Sequence, residues 1–261
     1  MSEVVVPASW LADRLESVYV VDVRDAWEYD GIGHLPGARN VPFDSFRSAE
    51  AGEAGMLPGA DHFADLMSEA GVGRDDELVA YDDTHGVFAA RLLVTAELYG
   101  HDPGKLHLLD GDFSAWRLEH PTGDEAVDPD PATYEASFRR DGPLVELSAV
   151  EAAMDDPDTV VVDTREAWEF EEGHVPGAVR LDWRELVDDD SRGLRPEAEV
   201  RELLAERGID PDRRVLLYCN TARRIRHTYT VLRHLEYPDL AFYEGSLTEW
   251  ESEGGDLETD A

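Results

Sequence analysis

The chain has one lysine, Lys105, and one cysteine, Cys219, among its 261 residues. Positive charge is scarce altogether: 23 lysines and arginines face 59 aspartates and glutamates, a formal net charge of −36. A surface of that sign repels nucleic acid and anionic membranes, so neither is an expected partner. The acids run along the whole chain and do not gather in a tail. In dilute buffer their self-repulsion opposes compaction, whereas at ~1 M salt the Debye length shrinks to about 3 Å and screens it. This is the composition expected of a halophilic protein, from a cell that accumulates salt. A single cysteine excludes an internal disulfide and suits a reducing compartment. No apolar run approaches the ~20 residues of a membrane span. Met1-Ser2-Glu3-Val4-Val5-Val6-Pro7 has neither the basic start nor the apolar core of a secretory signal. A cytoplasmic location is therefore expected. One cysteine and scattered histidines make no zinc-ligand spacing, so no metal or organic cofactor is expected.

What the chain does contain is an internal repeat. Val20-Val21-Asp22-Val23-Arg24-Asp25-Ala26-Trp27-Glu28-Tyr29 matches Val161-Val162-Asp163-Thr164-Arg165-Glu166-Ala167-Trp168-Glu169-Phe170. Gly33-His34-Leu35-Pro36-Gly37-Ala38 matches Gly173-His174-Val175-Pro176-Gly177-Ala178, with one residue inserted in the first copy near Asp30-Gly31. Leu78-Val79-Ala80-Tyr81-Asp82 aligns with Val215-Leu216-Leu217-Tyr218-Cys219, and the copies close on Gly111…Trp116 and Gly245…Trp250. With 42% hydrophobic residues the length suffices for two packed domains. The first spans 1–120 and the second 143–261, joined by a linker over 121–142 rich in Pro, Asp and Gly.

Each copy alternates short strand-like runs with helical spacing. Strands are expected at 19–23, 77–81 and 105–109, then at 159–163, 214–218 and 240–243. Helices are expected at 62–70, 87–99 and 112–119, then at 197–207, 223–235 and 246–251. Strands apolar on both faces, alternating with helices, predict an α/β fold with one mainly parallel, helix-covered sheet per domain.

The chemistry centres on Val215–Arg224. A buried run, Val-Leu-Leu-Tyr, stops at Cys219; Asn220, Thr221 and Ala222 follow, then Arg223 and Arg224, then helical spacing from Ile225. The helix N-terminus and its free N–H groups would point back at the sulfur and favour negative charge on it. A lone cysteine is most often a small buried hydrophobe. The strand–Cys–Arg-Arg–helix order favours a nucleophile, and the first copy has Asp82 in its place.

These blocks, in this order over nearly the whole chain, resemble the tandem-domain rhodanese family of thiosulfate and 3-mercaptopyruvate sulfurtransferases. The resemblance implies two tandem rhodanese-like domains, an inactive first one and a catalytic second one. It also implies an active-site loop of Cys219-Asn220-Thr221-Ala222-Arg223-Arg224. The expected activity moves sulfane sulfur from thiosulfate, a small anionic donor, to cyanide or a thiol acceptor through a persulfide on Cys219. Asn220, Thr221, Ala222, Arg223 and Arg224 are the expected donor-binding residues, the arginines for their positive charge. Arg165 supports, chiefly structurally.

Two positions depart from the family. Ala222 stands where many such loops have glycine, and Glu169 stands where animal-type enzymes carry a substrate arginine. A glutamate there cannot hold an anion, so donor recognition should rest on the loop, with thiosulfate preferred to 3-mercaptopyruvate. Asp22, Asp163, His34 and His174 occur in both copies, which favours structural jobs for them; Trp116 and Trp250 read as core anchors. A phosphatase of this fold would carry arginine six residues after its cysteine, where this chain has Ile225. The remaining alternatives are a 3-mercaptopyruvate sulfurtransferase, a persulfide carrier serving a protein sulfur acceptor, and a non-catalytic binding module, which fits the first copy alone.

Overall fold

The computed structural model describes residues 3–48, 56–125, 127–220 and 224–259. The chain divides into two units, Met1–Asp141 with Asp189–Gly193, and Gly142–Asp188 with Leu194–Ala261. In the first, β1 (Val5–Val6), α1 (Ala8–Ala12), β2 (Tyr19–Asp22), α2 (Ala26–Ile32) and β3 (Arg39–Asn40) come in turn. They are followed by α3 (Ala60–Glu69), β4 (Leu78–Tyr81), α4 (Val87–Leu98), β5 (Leu106–Leu109) and α5 (Phe113–Glu119). The second unit repeats the series: β6 (Leu144–Val145), α6 (Leu147–Met154), β7 (Thr159–Asp163), α7 (Ala167–Glu172), β8 (Val179–Arg180), α8 (Glu197–Glu206), β9 (Arg214–Tyr218), α9 (Ile225–His234), β10 (Leu240–Tyr243) and α10 (Ser246–Ser252).

Among the described residues each unit holds a five-stranded sheet, ordered β1-β5-β4-β2-β3 and β6-β10-β9-β7-β8. All the pairings are parallel. The expected α/β fold is thus present in both copies. β4 and β9 are central, and their apolar residues are buried on both faces, as in a parallel sheet covered by helices. Among the described residues no helix is long and apolar enough to cross a membrane. Residues 127–141, within the stretch expected to link the copies, belong to the first unit. There Tyr134 N donates to Ser68 Oγ, Ser137 N to Tyr99 O and Arg139 N to Leu98 O.

The repeated blocks are the struts that fix the end of the central strand. Register places Asp163 opposite Tyr218 and Asp22 opposite Tyr81. The Asp163 carboxylate accepts Arg165 Nε at 3.0 Å and Nη2 at 2.7 Å, and Arg165 Nη2 also donates to Gly173 O at 2.6 Å. Tyr218 hydrogen-bonds Asp163 through its hydroxyl, which also accepts Val175 N at 3.0 Å. Burial first, then the Asp163 charge, push the Tyr218 phenol well up, so it stays a donor. Arg24, Asp22, Tyr81, Gly33 and Leu35 make the same set of bonds in the first unit. The Asp-x-Arg and Gly-His-x-Pro-Gly blocks therefore meet at the tyrosine that immediately precedes Cys219 or Asp82.

Candidate active site

Cys219 is the first residue beyond β9, and its side chain is 1% exposed. The start of α10 grips it from the neighbouring strand. Leu247 N donates to Cys219 O at 2.9 Å, and Thr248 Oγ1 donates to Asn220 O at 2.9 Å. Cys219 N donates to Ser246 Oγ at 3.2 Å, and that hydroxyl lies 3.9 Å from the sulfur. A serine has one proton to give, and Tyr243 O, at 3.0 Å, is its nearer acceptor. Ser246 holds φ at +54°, a left-handed conformation uncommon outside glycine, so the backbone is bent where it meets the cysteine. Ser246 was not singled out from sequence, although the repeat pairs it with Asp112.

From Cys219 the chain passes to α9, which starts at Ile225 with Arg224 as its N-cap. Thr221, Ala222 and Arg223, three of the expected donor-binding residues, lie outside the described residues. The other two are brought together by Glu169. Arg224 Nη1 and Nη2 donate to Glu169 Oε2 and Oε1 at 2.5 and 2.8 Å, a bidentate pair. Asn220 Nδ2 donates to Glu169 Oε1 at 2.6 Å, and Asn220 Oδ1 accepts Arg165 Nη1 at 3.2 Å. Burial pushes the Glu169 carboxyl up, but its bonds to Arg224 and to Glu166 N prevail, and it sits below the usual glutamate value. Burial lowers the Arg224 guanidinium, yet its bonds to the Glu169 carboxylate leave it raised on balance.

Glu169 is thus not the bare repulsive charge expected from sequence, because its charge is paired with a loop arginine. A cavity of ≈ 330 Å³ opens beside these groups, lined by Arg165, Trp168, Glu169, Asn220, Leu247 and Leu257 among others. A small substrate has room there next to the segment that carries Cys219.

The rhodanese-like domain model matches this chain twice, over residues 7–119 and 146–253. The chain belongs to the rhodanese-like family. It is 31% identical to the thiosulfate sulfurtransferase of Pseudomonas aeruginosa, over 94% of this chain and 93% of that one. A Haloferax volcanii protein, provisionally named for the same activity, is 30% identical over 95% of this chain and 93% of its own length. Among solved structures, the 3-mercaptopyruvate sulfurtransferase SseA of Escherichia coli matches with a TM-score of 0.82. It is 25% identical and covers 93% of this chain and 98% of SseA.

The two rhodanese-like domains differ where Cys219 and Asp82 stand. Asp82 is fully buried, and its carboxylate accepts backbone N–H bonds from Thr84, Gly86, Phe88 and Ala89 at 2.7, 2.8, 2.7 and 3.0 Å. The first domain thus fills its own anion nest. Burial pushes the Asp82 carboxyl above its ordinary value, and the four N–H bonds offset only part of that. Arg165 is tied to Asp163, Gly173 and Asn220, so it reaches the loop through Asn220. His174 stacks on Phe170 with ring centres 3.6 Å apart and bonds Phe170 O through Nδ1, while His34 stacks on Tyr29 in the first domain. Trp116 and Trp250 are buried in the two cores.

Proposed function

We propose that the protein is a thiosulfate sulfurtransferase working through a persulfide on Cys219. The observation that carries this reading is the placement of the chain's only thiol at the end of β9, ahead of α9, in the rhodanese-like domain whose twin carries Asp82 there. The Cys219 thiolate attacks the outer sulfur of thiosulfate. A Cys–S–S bond forms, the donor's S–S bond breaks, and sulfite leaves with the bonding pair. Cyanide or a thiolate then attacks the outer persulfide sulfur and takes it as thiocyanate or a new persulfide, returning the Cys219 thiolate. The α9 N-terminus favours the negative charge that Cys219 bears before and after loading.

Thiosulfate offers two negative charges and no carbon skeleton, so positive charge and N–H donors at the loop suffice to recognise it. The likeness to SseA favours a second reading, in which 3-mercaptopyruvate is the donor. Steady-state rates with both donors, measured in parallel at molar salt with cyanide as acceptor, decide between them. A higher kcat/KM for thiosulfate is expected; strong preference for mercaptopyruvate overturns the donor assignment, and no turnover with either overturns the sulfurtransferase reading. Transfer only to a protein thiol, with cyanide inert, would make the protein a persulfide carrier.

The compartment belongs to the same reading: a lone reduced thiol fits the cytoplasm. So does the halophilic character, since the net charge of −36 calls for concentrated salt. Dialysis to ~0.01 M salt, where repulsion stays unscreened out to about 30 Å, should lower both melting temperature and activity. Unchanged melting from low to molar salt would remove the halophilic assignment and leave the chemistry standing.

A further inference from the structure

We propose that Glu169 is the positioning residue of the sulfur-transfer loop, holding its two ends, Asn220 and Arg224, through one carboxylate. This rests on Cys219 being the sulfur carrier. Asn220 follows the cysteine and Arg224 opens α9, so a group bound to both spans the stretch between strand and helix. Glu169 meets each by short bonds: Asn220 Nδ2 at 2.6 Å and Arg224 Nη1 and Nη2 at 2.5 and 2.8 Å. A fourth bond, from Glu166 N at 2.9 Å, completes the acceptor capacity of the carboxylate.

The first domain contains the control for this reading. Its counterpart Glu28 also closes a capping box, accepting Asp25 N at 3.2 Å, so the capping job is common to both copies. Capping by itself therefore accounts for only one of the four bonds at Glu169. The bonds to Asn220 and Arg224 occur in the copy that carries the cysteine, and there the glutamate is buried at 7% exposure. In the other copy Glu28 is only half-buried. The helix cap is common to both copies; the bonds that face the loop are made in the second.

The mechanical consequence is that Arg224 keeps a fixed direction at the head of α9, the helix that follows the Cys219 segment. Without Glu169 the guanidinium would be free to swing, and a charge that moves contributes less to the developing sulfite than one already in place. The long arm of arginine makes that loss of order costly. Glu169 thus acts on the transfer step through Arg224, without touching the donor.

The test is a double-mutant cycle on the full chain at molar salt, with Glu169→Ala, Arg224→Ala and the pair, reading kcat/KM for thiosulfate and melting temperature together. Glu169→Ala is expected to lower kcat/KM roughly 10- to 100-fold. The double variant should be no worse than Arg224→Ala within about threefold, because one removal already forfeits the shared contact. Glu169→Gln keeps size and a carbonyl acceptor but not the charge, and should fold even if the alanine variant does not; its loss is expected to lie between wild type and Glu169→Ala. A capping role alone predicts a lower melting temperature with kcat/KM intact, and losses that multiply in the double variant; either result overturns the proposal. Failure of wild-type Cys219 to gain a sulfur atom from thiosulfate, read by intact mass, would instead overturn the function on which it rests.

Discussion

The segments that follow β4 and β9 are a matched pair built on one plan and set to opposite uses. Both central strands end in a tyrosine pinned by an Asp-x-Arg block, and in both the chain goes on to a helix, α4 or α9. In the first domain the residue after the tyrosine is Asp82, and four backbone N–H groups close on its carboxylate. In the second it is Cys219, whose sulfur has the Ser246 hydroxyl 3.9 Å away and whose loop ends are tied to Glu169. A nest that already contains its own carboxylate is structure. On the proposed function, the two rhodanese-like domains differ in that the first fills this position with its own carboxylate and the second offers a thiol that can take up sulfur.

The largest expected effect tests the active side of that pair. Cys219→Ser should abolish thiosulfate turnover while leaving the circular dichroism spectrum unchanged, because a hydroxyl cannot carry sulfane sulfur. Retained activity would mean that the sulfur carrier is another group. The counterpart in the first domain, Asp82→Ala, strands four buried N–H donors and should cost on the order of 3 kcal/mol of stability. Its kcat per folded molecule should stay near wild type. A melting temperature unchanged in Asp82→Ala would show that the filled nest is not a structural element at all.

A smaller effect is expected at Ser246, where the second domain departs from Asp112. Ser246→Ala removes the acceptor for Cys219 N and should lower kcat/KM for thiosulfate by about fivefold, the equivalent of one neutral hydrogen bond at roughly 1 kcal/mol. No change in kcat/KM would confine Ser246 to backbone geometry. The smallest effect is on acid stability, and the two carboxylates have opposite signs. Glu169 is held below the ordinary glutamate 4.5, so its stabilisation is complete above 4.5 and is lost as pH falls toward its lower folded value. Asp82 is raised above the ordinary aspartate 3.8, so the folded state takes up its proton first and gains stability as pH falls through that window. In an acid melting series Glu169→Gln should therefore lose less stability than wild type, and Asp82→Asn should lose more. Parallel acid profiles for all three proteins would contradict both assignments.

The α/β class, the duplication and the placing of Cys219 after a buried strand could be read in advance because apolar runs and repeated blocks leave clear traces. β1, β3, β6 and β8 could not, since two-residue strands have no periodicity to detect. α2 and α7 lie inside the repeated Trp-Glu blocks and read as motif, although Asp25-x-x-Glu28 and Glu166-x-x-Glu169 have the spacing of a capping box. Glu169 stood out in sequence only as the wrong charge for a substrate contact. Its pairing with Arg224 joins residues 55 positions apart, and only the folded chain brings them together. Ser246 was hidden for a different reason: its part depends on a backbone bend that sequence does not announce.

Cys219 is the single thiol of the chain and is buried to 1% exposure, which has a kinetic consequence for the proposed cycle. A second cysteine within reach could discharge a persulfide internally, closing a disulfide and releasing sulfide. Here no such exit exists within one molecule. Once loaded, the enzyme can only wait, and unloading is a second-order event whose clock is the arrival of an outside nucleophile. Between arrivals the molecule is a timer set by its surroundings, storing one sulfur atom for as long as acceptors are rare and passing it on at once where they are plentiful.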